Sequence, residues 1–451
     1  MTSNENGATD AVLPITGYLD RISARPGERI AVKVSAQGAG SYQASVIRIR
    51  CADPNPAGPG LRYEDQEFGL AASYPARSQP IDIGSYGVVP SSTLFSALRL
   101  AMAVRVQPWL LRDRRSVLVA GLDPEGRGWS LSATTQGLTL EHRGADGTTA
   151  SLSLPVRLKR RQWYRVWAGF DVVAGKLVLG CRSLQGTLGN APVVDVDRIE
   201  IANAKLGQLP SDLTLTFAGR VGADGLSRDH FNGRLEDPAL YERLPDDGSA
   251  PAEPDAHPAP GLCAWWDFSQ CIEGLTIIDR GPDGLHGRLI NAPTRAVCGS
   301  RWDGTNMAWR HAPRDYAAIH FHEDDLYDCR WETDFEFEIP GDARSGVYGL
   351  RLQQNGHQDI IPFYVLPPKG KRTAKVCYLA PTFTYQAYAN HARGNCDDDM
   401  RRRMAEWGAT PYNPDDYPIY GRSTYNMHPD GTGTSLSSRL PPTLTIRPAY
   451  L

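Results

Sequence analysis

The sequence lacks the features that mark several large classes of protein. Its eight cysteines are scattered through 451 residues without a Cys-x-x-Cys pair, which argues against a zinc knuckle and against a disulfide scaffold. No apolar run approaches the length of a membrane span, and the N-terminus lacks the basic and apolar regions of a secretory signal. We therefore expect a cytoplasmic protein with reduced, mostly buried thiols.

A strong charge of either sign is also absent. The formal net charge is -3, so no general attraction to nucleic acid or to an acidic membrane is expected. The phosphate-binding motif Gly-x-x-x-x-Gly-Lys-Ser/Thr and the nucleophile elbow Gly-x-Ser-x-Gly do not occur. Neither a nucleotide-phosphate loop nor a serine hydrolase of that type is predicted.

Glycine and proline are plentiful, at 44 and 34 residues, and they divide the chain into short segments typical of strands and turns. Apolar and polar residues alternate over much of residues 29–35 and 42–50, which predicts strands with one buried face. Further strand-like segments make residues 92–243 look like a two-sheet sandwich. The segment 231–241 resembles the last strand of laminin-G-like, concanavalin-type sandwiches.

The next part of the chain contains a linker-like stretch and more strands. Residues 244–260 carry five prolines among Asp, Glu and Ala, which is typical of a linker. Residues 261–290 resemble the sequences that open such a sandwich. Either a second sandwich begins here, or this segment completes the first. The second interpretation is more economical. Residues 331–366 resemble a small immunoglobulin-like sheet.

The character of the sequence changes after residue 373. Residues 374–380 predict a buried strand, and residues 444–448 predict another. Residues 396–407 predict a helix, with acidic residues at its start, basic residues further on and Gly408 after its end. This order is typical of the opening of an α/β domain. Because roughly 80 residues are too few for a domain of ~100–150 residues, we expect the domain to be truncated.

The predicted fold is therefore mainly β, followed by the beginning of an α/β domain. The predicted segments are a disordered N-terminus (1–11), a β-rich N-terminal segment (12–91), a laminin-G/concanavalin-like sandwich (92–243), a Pro-rich linker (244–260), β segments that complete the sandwich together with a small immunoglobulin-like sheet (261–368), and an incomplete α/β domain (369–451).

The main candidates for metal ligands and catalytic residues lie in residues 381–451, which are rich in Tyr, His, Asn and Asp. Two segments stand out, residues 384–391 directly after the predicted strand and residues 421–433. Functional groups in open α/β sheets gather at the carboxyl ends of strands. Tyrosine can bind a hard ferric ion as phenolate, and the ion can act as a Lewis acid. The alternative is that these aromatic side chains only pack a loop against the β-rich part.

These two segments, followed by residues 437–440 and 446–450, resemble the start of the catalytic domain in the N,N-dimethylformamidase large-subunit family. The resemblance covers residues 12–451. It implies a glutamine-amidotransferase-like α/β domain and an amidohydrolase with mononuclear, non-haem iron held by two tyrosines and a glutamate. It further implies a small amide substrate such as N,N-dimethylformamide, cleaved to an amine and formate, a small-subunit partner, and further self-association.

Carried over to this sequence, the resemblance implies Tyr388 and Tyr425 as the tyrosine ligands of the iron. Tyr385 competes with Tyr388 because both lie in one segment. The glutamate ligand and the catalytic groups are expected beyond Leu451, so no catalytic residue is assigned. The chain alone is therefore expected to be inactive.

Other candidate ligands have alternative explanations. His320 and His322 are two residues apart and would share one face of a strand, so a metal pair is possible. A solvated or aromatic-packed face is the favoured interpretation. Residues 397–399 are three consecutive aspartates, which a helix N-terminus explains better than a metal site.

Two non-catalytic hypotheses remain beside the hydrolase. In the first, the sandwich binds carbohydrate through stacking tryptophans, although core packing is the default for these side chains. The candidates are Trp163, Trp167, Trp265 and Trp266. In the second, the chain is a scaffold or a truncated remnant that exposes apolar surface where a missing sheet would dock. An iron–phenolate absorption band would separate the hydrolase from both.

Overall fold

The computed structural model describes residues 11–184, 198–256 and 259–451, and the chain divides into two compact units. Unit 1 combines the residues up to 82 with 326–427 and 432–451, and unit 2 combines 83–325 with 428–431. The predicted disordered N-terminus lies outside the described residues, apart from residue 11. The described chain is mainly β, as the sequence predicts.

Unit 1 begins with β1 (Ile15–Leu19), β2 (Ser23–Ala24), β3 (Arg29–Ala36), β4 (Ser41–Cys51), β5 (Arg62–Gln66) and β6 (Tyr74–Pro75). Unit 2 contains β7 (Tyr86–Val89), β8 (Arg99–Leu110), β9 (Ser116–Leu122), β10 (Gly128–Thr134), β11 (Gly137–Arg143), β12 (Thr149–Leu154), β13 (Tyr164–Asp171), β14 (Lys176–Ser183), β15 (Arg198–Asn203), β16 (Thr214–Phe217), β17 (Arg220–Val221), β18 (Ser227–Arg228), β19 (Asn232–Tyr241), β20 (Leu262–Trp265), β21 (Thr276–Ile277), β22 (Gly287–Ile290), β23 (Thr294–Val297) and β24 (Ala318–Phe321). Unit 1 resumes with β25 (Phe335–Glu338), β26 (Gly346–Gln354), β27 (His357–Val365), α1 (Thr382–Ala387) and α2 (Asp398–Trp407). Short 3-10 helices span Thr93–Ser96, Pro313–Tyr316, Pro418–Tyr420 and Leu444–Ile446.

Unit 2 is built on two large sheets that share one core. One sheet has the order β12-β11-β10-β9-β16-β7-β22-β21, and the other has the order β15-β14-β13-β8-β19-β24-β23, with β20 paired to β19. Leu118 and Leu131 of the first sheet and Val104 and Val166 of the second are at most 1% exposed and belong to the same apolar cluster. The side chains that face this core come largely from alternate positions of each strand, and their burial drives the packing of the two sheets. The second sheet also buries Ala103 and Trp167 on its other face.

Residues beyond the predicted sandwich segment also contribute to unit 2. Strands β20 to β24 come from residues 262–321 and join both sheets. In the segment predicted as a linker, Glu253 forms ion pairs with Arg105 and Arg165 at 2.9 and 3.1 Å. Tyr241 donates its hydroxyl hydrogen to the Ala252 carbonyl at 2.7 Å. These contacts hold that part of the proline-rich stretch against unit 2.

Unit 1 contains a smaller pair of sheets. Their orders are β1-β3-β25 and β2-β27-β26-β4-β5, with β6 paired to β4. Val32 and Phe337 from the first sheet and Leu350 and Phe363 from the second are in one apolar core, each at most 4% exposed. The predicted immunoglobulin-like strands at residues 331–366 therefore pack with strands from the N-terminal segment.

The predicted opening of an α/β domain is not observed. Residues 374–380 form an exposed loop rather than a buried strand, with Val376 and Leu379 exposed by 84% and 88%. Pairing requires a neighbouring strand, and none of the described strands pairs with this segment. The predicted strand at 444–448 is likewise absent, because Leu444–Ile446 form a 3-10 helix.

The predicted helix is confirmed as α2. Asp397 caps its N-terminus by accepting a hydrogen bond from the Met400 amide at 2.9 Å, and Gly408 ends it with φ of 64°. Asp398 and Asp399 lie in its first turn, where the helix dipole favours negative charge. The capping explanation of residues 397–399 therefore holds.

The exposure of the cysteines and tryptophans tests two of the expectations. All eight cysteines are free, but only Cys181 and Cys329 are buried, so the expectation of mostly buried thiols is wrong. The tryptophans considered for sugar stacking, Trp163, Trp167, Trp265 and Trp266, are at most 9% exposed. They are core residues and offer no stacking platform. Among the described residues, no helix is long and apolar enough to cross a membrane.

Candidate metal-binding sites

Two of the predicted iron ligands lie against each other in unit 1. The rings of Tyr388 and Tyr425 stack with centroids 4.2 Å apart and planes inclined by 19°. The His391 ring flanks both, at 5.8 Å from Tyr388 and 5.9 Å from Tyr425. Tyr388 and Tyr425 are 42% and 58% exposed, so both side chains are open to a ligand.

Hydrogen bonds between two loops fix this tyrosine pair. Ala387, the last residue of α1, accepts hydrogen bonds from the hydroxyls of Ser423 and Thr424 at 2.7 and 2.9 Å. Asn426 accepts a hydrogen bond from the Ala392 amide at 3.1 Å and donates one to the Ala392 carbonyl at 2.6 Å. The segment that carries Tyr425 is therefore held against the segment that carries Tyr388.

Asn390 also helps to hold the segments around the tyrosine pair. Its backbone is in the left-handed conformation, with φ of 52°. Its side chain is 5% exposed and donates to the carbonyls of Tyr420 and Pro442 at 2.8 and 2.9 Å. It also accepts a hydrogen bond from the Leu444 amide at 2.7 Å. Asparagine tolerates this conformation better than most residues do, which explains its presence here.

The competing candidate, Tyr385, has other partners. Its hydroxyl lies 2.9 Å from that of Tyr378, and this hydrogen bond raises the pKa of Tyr385. Tyr385 also lines a cavity of about 300 Å³ in unit 1, together with Tyr364 and Arg447. The structure thus places Tyr388 with Tyr425 and Tyr385 with Tyr378. The choice of Tyr388 over Tyr385 as a ligand stays a prediction.

Two phenol groups in contact can provide two oxygen ligands for a hard cation. The neighbouring Tyr425 hydroxyl raises the pKa of Tyr388, which favours the protonated phenol in the absence of a cation. A bound cation reverses this preference, because its charge favours the phenolate. The geometry therefore fits a ferric ion through two ligands. The glutamate implied as the third ligand is not assigned to any residue of this chain.

A second group of potential ligands lies in unit 2, at the end of β24. The rings of His320, His322 and His428 form a stack, with centroids 4.3 Å apart for the first pair and 3.7 Å for the second. Each histidine is at most 3% exposed. The favoured prediction of a solvated or aromatic-packed face is therefore wrong about solvent and right about aromatic packing, since Trp109 contacts His320 at 4.9 Å.

Three carboxylates surround this stack. Asp430 Oδ2 lies 2.8 Å from His320 Nε2 and 3.6 Å from His322 Nε2. Asp325 Oδ2 lies 3.1 Å from His322 Nδ1, and Asp324 Oδ1 lies 2.7 Å from His428 Nδ1. Two triads of ligand atoms could hold a metal ion, and both contain His322. One is His320, His322 and Asp430, and the other is His322, Asp325 and His428.

This environment shifts the pKa values of His320 and His322 in opposite directions. Burial lowers the pKa of His320 to about 3, despite its hydrogen bond to Asp430. Burial also acts to lower the pKa of His322, but the nearby carboxylates of Asp325 and Asp430 outweigh it and raise that pKa above its ordinary value. The neutral form of His320 is therefore favoured, as metal binding requires.

Sequence reasoning found only part of this group. The His320–His322 spacing indicated a shared face, but their partners Asp430 and His428 lie more than a hundred residues further along the chain. The available signals were Asp324 and Asp325, which follow His322 after Glu323, and the His-Pro-Asp sequence at residues 428–430. Nothing in either segment alone showed that they meet.

The family model and the similar proteins that match this chain point to the same family. Residues 294–451 match the family model described as N,N-dimethylformamidase beta subunit-like, C-terminal. The N,N-dimethylformamidase beta subunit of Paracoccus aminophilus is 35% identical over 463 residues, covering 97% of this chain and 60% of the relative. The beta subunit from an Alcaligenes species is 32% identical over 473 residues, covering 97% and 61%.

This chain is related to the N,N-dimethylformamidase beta subunit. The resemblance noted in the sequence is thus confirmed, over nearly the whole chain. The chain spans about 60% of the length of these curated relatives. The activity, substrates and partners of the whole relatives are therefore matters of proposal for this chain.

Solved structures add little to this relationship. A heptameric SAP-like pentraxin from Limulus polyphemus aligns with 38% of this chain and 75% of its own, at 14% identity and a TM-score of 0.26. A score of this size carries no argument about fold or function.

Proposed function

We propose that this chain is a large-subunit segment of an iron-dependent amidohydrolase that cleaves N,N-dimethylformamide or similar small amides to an amine and formate. The observation that carries the proposal is the contact between Tyr388 and Tyr425, centroids 4.2 Å apart, in a chain 35% identical to a dimethylformamidase beta subunit. These are the two residues that the family resemblance implies as iron ligands.

In this proposal Tyr388 and Tyr425 hold the iron as phenolates. When bound, the iron supplies a Lewis acid that polarises the carbonyl of the amide. Ala387 and Asn390 act on the backbones that carry the two tyrosines, so their role is to position the ligands. The partial exposure of both rings leaves one side open, where a substrate and further ligands can approach.

We further propose a small-subunit partner, further self-association and a cytoplasmic setting. The beta-subunit designation of the relatives supports a second kind of subunit. The eight free cysteines are in keeping with a reducing compartment. We also propose that the isolated chain is inactive, because two tyrosines alone do not provide the three protein ligands that the resemblance implies for the iron.

The test measures release of dimethylamine and formate from N,N-dimethylformamide by the chain loaded with ferric iron. It is performed with the chain alone and with the small subunit co-produced from the same source. We expect iron-dependent product from the preparation that contains the small subunit, and none from the chain alone or from Tyr425→Phe. Iron-independent hydrolysis, or full activity of an iron-loaded Tyr425→Phe variant, would contradict the proposal. Iron binding without hydrolysis by any preparation would favour the scaffold alternative.

A further inference from the structure

The buried histidine stack in unit 2 is unrelated to the tyrosine ligands and calls for its own explanation. It combines three imidazoles with three aspartates, and each of the histidines is at most 3% exposed. Buried charges in proteins are normally paired or bound to metal ions, because removal from water is costly. The contacts of the ring nitrogens indicate where a cation would bind.

The hydrogen-bond partners of the rings fix the tautomer of His428. Its Nδ1 lies 2.7 Å from Asp324 Oδ1, and an ionised carboxylate only accepts hydrogen bonds. Nδ1 therefore carries the hydrogen, and Nε2 of the neutral ring presents a lone pair. This Nε2 is buried and has no hydrogen-bond partner among the described residues. The nearest carboxylate oxygen recorded for it is Asp325 Oδ1, at 3.7 Å.

His322 presents a second nitrogen to the same carboxylate. Its Nδ1 lies 3.1 Å from Asp325 Oδ2, while its Nε2 faces Asp430 Oδ2 at 3.6 Å. Asp430 also lies 2.8 Å from His320 Nε2. In the absence of a cation, the same reasoning places a hydrogen on His322 Nδ1, which donates it to Asp325 Oδ2. A bound cation would displace this hydrogen, as metal ions do when they bind histidine, and leave the hydrogen of the neutral ring on Nε2. The cation would then contact two imidazole nitrogens and the Asp325 carboxylate.

We propose that His322, Asp325 and His428 bind one divalent cation of the zinc type. Zinc bonds to histidine and carboxylate ligands are about 2.0–2.2 Å long, so tetrahedral ligand atoms lie roughly 3.3 Å apart. His322 Nδ1 lies 3.1 Å from Asp325 Oδ2, and His428 Nε2 lies 3.7 Å from Asp325 Oδ1. One ligand atom from each of the three residues lies within 4.8 Å of the other two. Imidazole together with carboxylate is a ligand set that suits zinc.

The surrounding residues supply the outer hydrogen bonds that such sites require. Metal-bound histidines usually donate their other N–H to a carboxylate. Asp324 plays this part for His428, at 2.7 Å. Asp430 Oδ2 faces His322 Nε2 at 3.6 Å, which is beyond hydrogen-bond distance. Ser85 donates its hydroxyl hydrogen to Asp325 Oδ2 at 2.6 Å and accepts a hydrogen bond from the His322 amide at 3.0 Å. Ser85 therefore positions two of the three ligands.

The neighbouring triad of His320, His322 and Asp430 is the less suitable site. It would use His322 Nε2, and the two triads together would require both nitrogens of one ring to bind metal. A neutral imidazole has one lone pair on nitrogen, so it serves one ion. We therefore expect one ion for each chain. Its role is to fasten residues 428–431 to the end of β24 within unit 2.

The first experiment uses the full chain after removal of metals with EDTA. Calorimetric titration with Zn²⁺ and elemental analysis should show one zinc per chain, and Co²⁺ should give the visible bands of a tetrahedral site. The Tyr388→Phe/Tyr425→Phe variant should bind the same amount of zinc, which separates this site from the proposed iron site. A folded wild-type chain that takes up neither Zn²⁺ nor Co²⁺ would overturn the proposal. His322 would then be a protonated imidazole between Asp325 and Asp430.

Variants then locate the ion. His428→Gln and Asp325→Asn should abolish stoichiometric binding, while Asp324→Asn should weaken it roughly 10–100-fold as an outer partner. The exposed His311 offers a matched control in the same unit, and His311→Gln should bind zinc as the wild type does. Loss of binding in His320→Gln with retention in His428→Gln would assign the ion to the other triad and overturn the proposal. If His428→Gln does not fold, the Co²⁺ spectrum of the wild type and the affinity of Asp324→Asn remain decisive.

Discussion

Tyr388 stacks on Tyr425 because the segments that carry them share hydrogen bonds at Ala387. The carbonyl of that residue accepts both the Ser423 and Thr424 hydroxyls, at 2.7 and 2.9 Å. The rings therefore meet at 4.2 Å through local bonding inside unit 1. A site assembled in this way is available to a metal ion without rearrangement of the strands.

The first prediction concerns which tyrosines bind iron. Addition of ferric iron to the chain should produce a visible phenolate-to-iron absorption band. Tyr388→Phe and Tyr425→Phe should each remove most of the band, because each deletes one oxygen ligand. Absorption titration with Fe³⁺ at neutral pH measures the effect.

Tyr385→Phe is the matched control for this titration, since it removes a phenol from the same segment. Its hydroxyl is bonded to Tyr378 rather than to the stacked pair, so the band should remain. If Tyr385→Phe loses the band and Tyr388→Phe keeps it, the assignment of the first ligand is reversed.

The strands are well predicted from the sequence, because the alternation of apolar and polar residues that marks a strand lies within the strand itself. The predicted strand at 29–35 is observed as Arg29–Ala36, and the one at 42–50 as Ser41–Cys51. The helix at 396–407 was also predictable, since its start and stop signals are local. In each case the residues that determine the element lie within it.

The failures arise where the outcome depends on distant partners. Residues 374–380 have the composition of a buried strand, but a strand without a paired neighbour stays exposed. The His322–His428 contact joins residues more than a hundred positions apart, and neither segment alone signals the other. Spacing could indicate that His320 and His322 share a face, but it could not indicate that this face is buried.

The second prediction tests the exposure of residues 374–380 and of the first turn of α1. Leu379→Ser and Phe383→Ser should change the free energy of unfolding by no more than about 0.5 kcal/mol, since surface substitutions cost little. These side chains are 88% and 90% exposed. Both variants should also aggregate less, because they remove exposed apolar surface. Urea unfolding and light scattering provide the two measurements.

Leu350→Ala in the core of unit 1 is the comparison for this test. Leu350 is fully buried, so its truncation should cost about 2–5 kcal/mol. A loss of similar size in Leu379→Ser would mean that residues 374–380 are buried in solution, as the sequence predicts.

The third prediction concerns the two ends of α2. Asp397→Ala removes the side chain that accepts from the Met400 amide and should cost about 1 kcal/mol. Gly408→Ala should cost about 1 kcal/mol, because an alanine at φ of 64° is strained. Asp399→Ala is the control: its ion pair with Arg402 is exposed, so the loss should stay below about 0.5 kcal/mol. Urea unfolding should rank Asp399→Ala as the mildest of the three, and any other order would remove the capping explanation.

The fourth prediction concerns pH and rests on His142 in β11. This side chain is 1% exposed, packs edge-on against Phe170 at 5.0 Å, and has no hydrogen-bond partner for either ring nitrogen among the described residues. Burial therefore lowers its pKa from 6.5 to about 4. The folded chain keeps this ring neutral at pH values where the unfolded chain protonates it.

Because the folded pKa lies below the unfolded value, the stabilisation is complete above pH 6.5 and is lost as the pH falls towards 4. At pH 5 the loss from this one group should be about 1–2 kcal/mol relative to pH 7. His142→Phe replaces the ring with one that cannot take up a proton, so its free energy of unfolding should fall less than that of the wild type between these pH values. Urea unfolding at pH 7 and pH 5 measures the difference, and His311→Gln, which alters an exposed histidine, should follow the wild type. Equal losses in His142→Phe and the wild type would show that His142 is protonated alike in the folded and unfolded chains, and that acid sensitivity arises elsewhere.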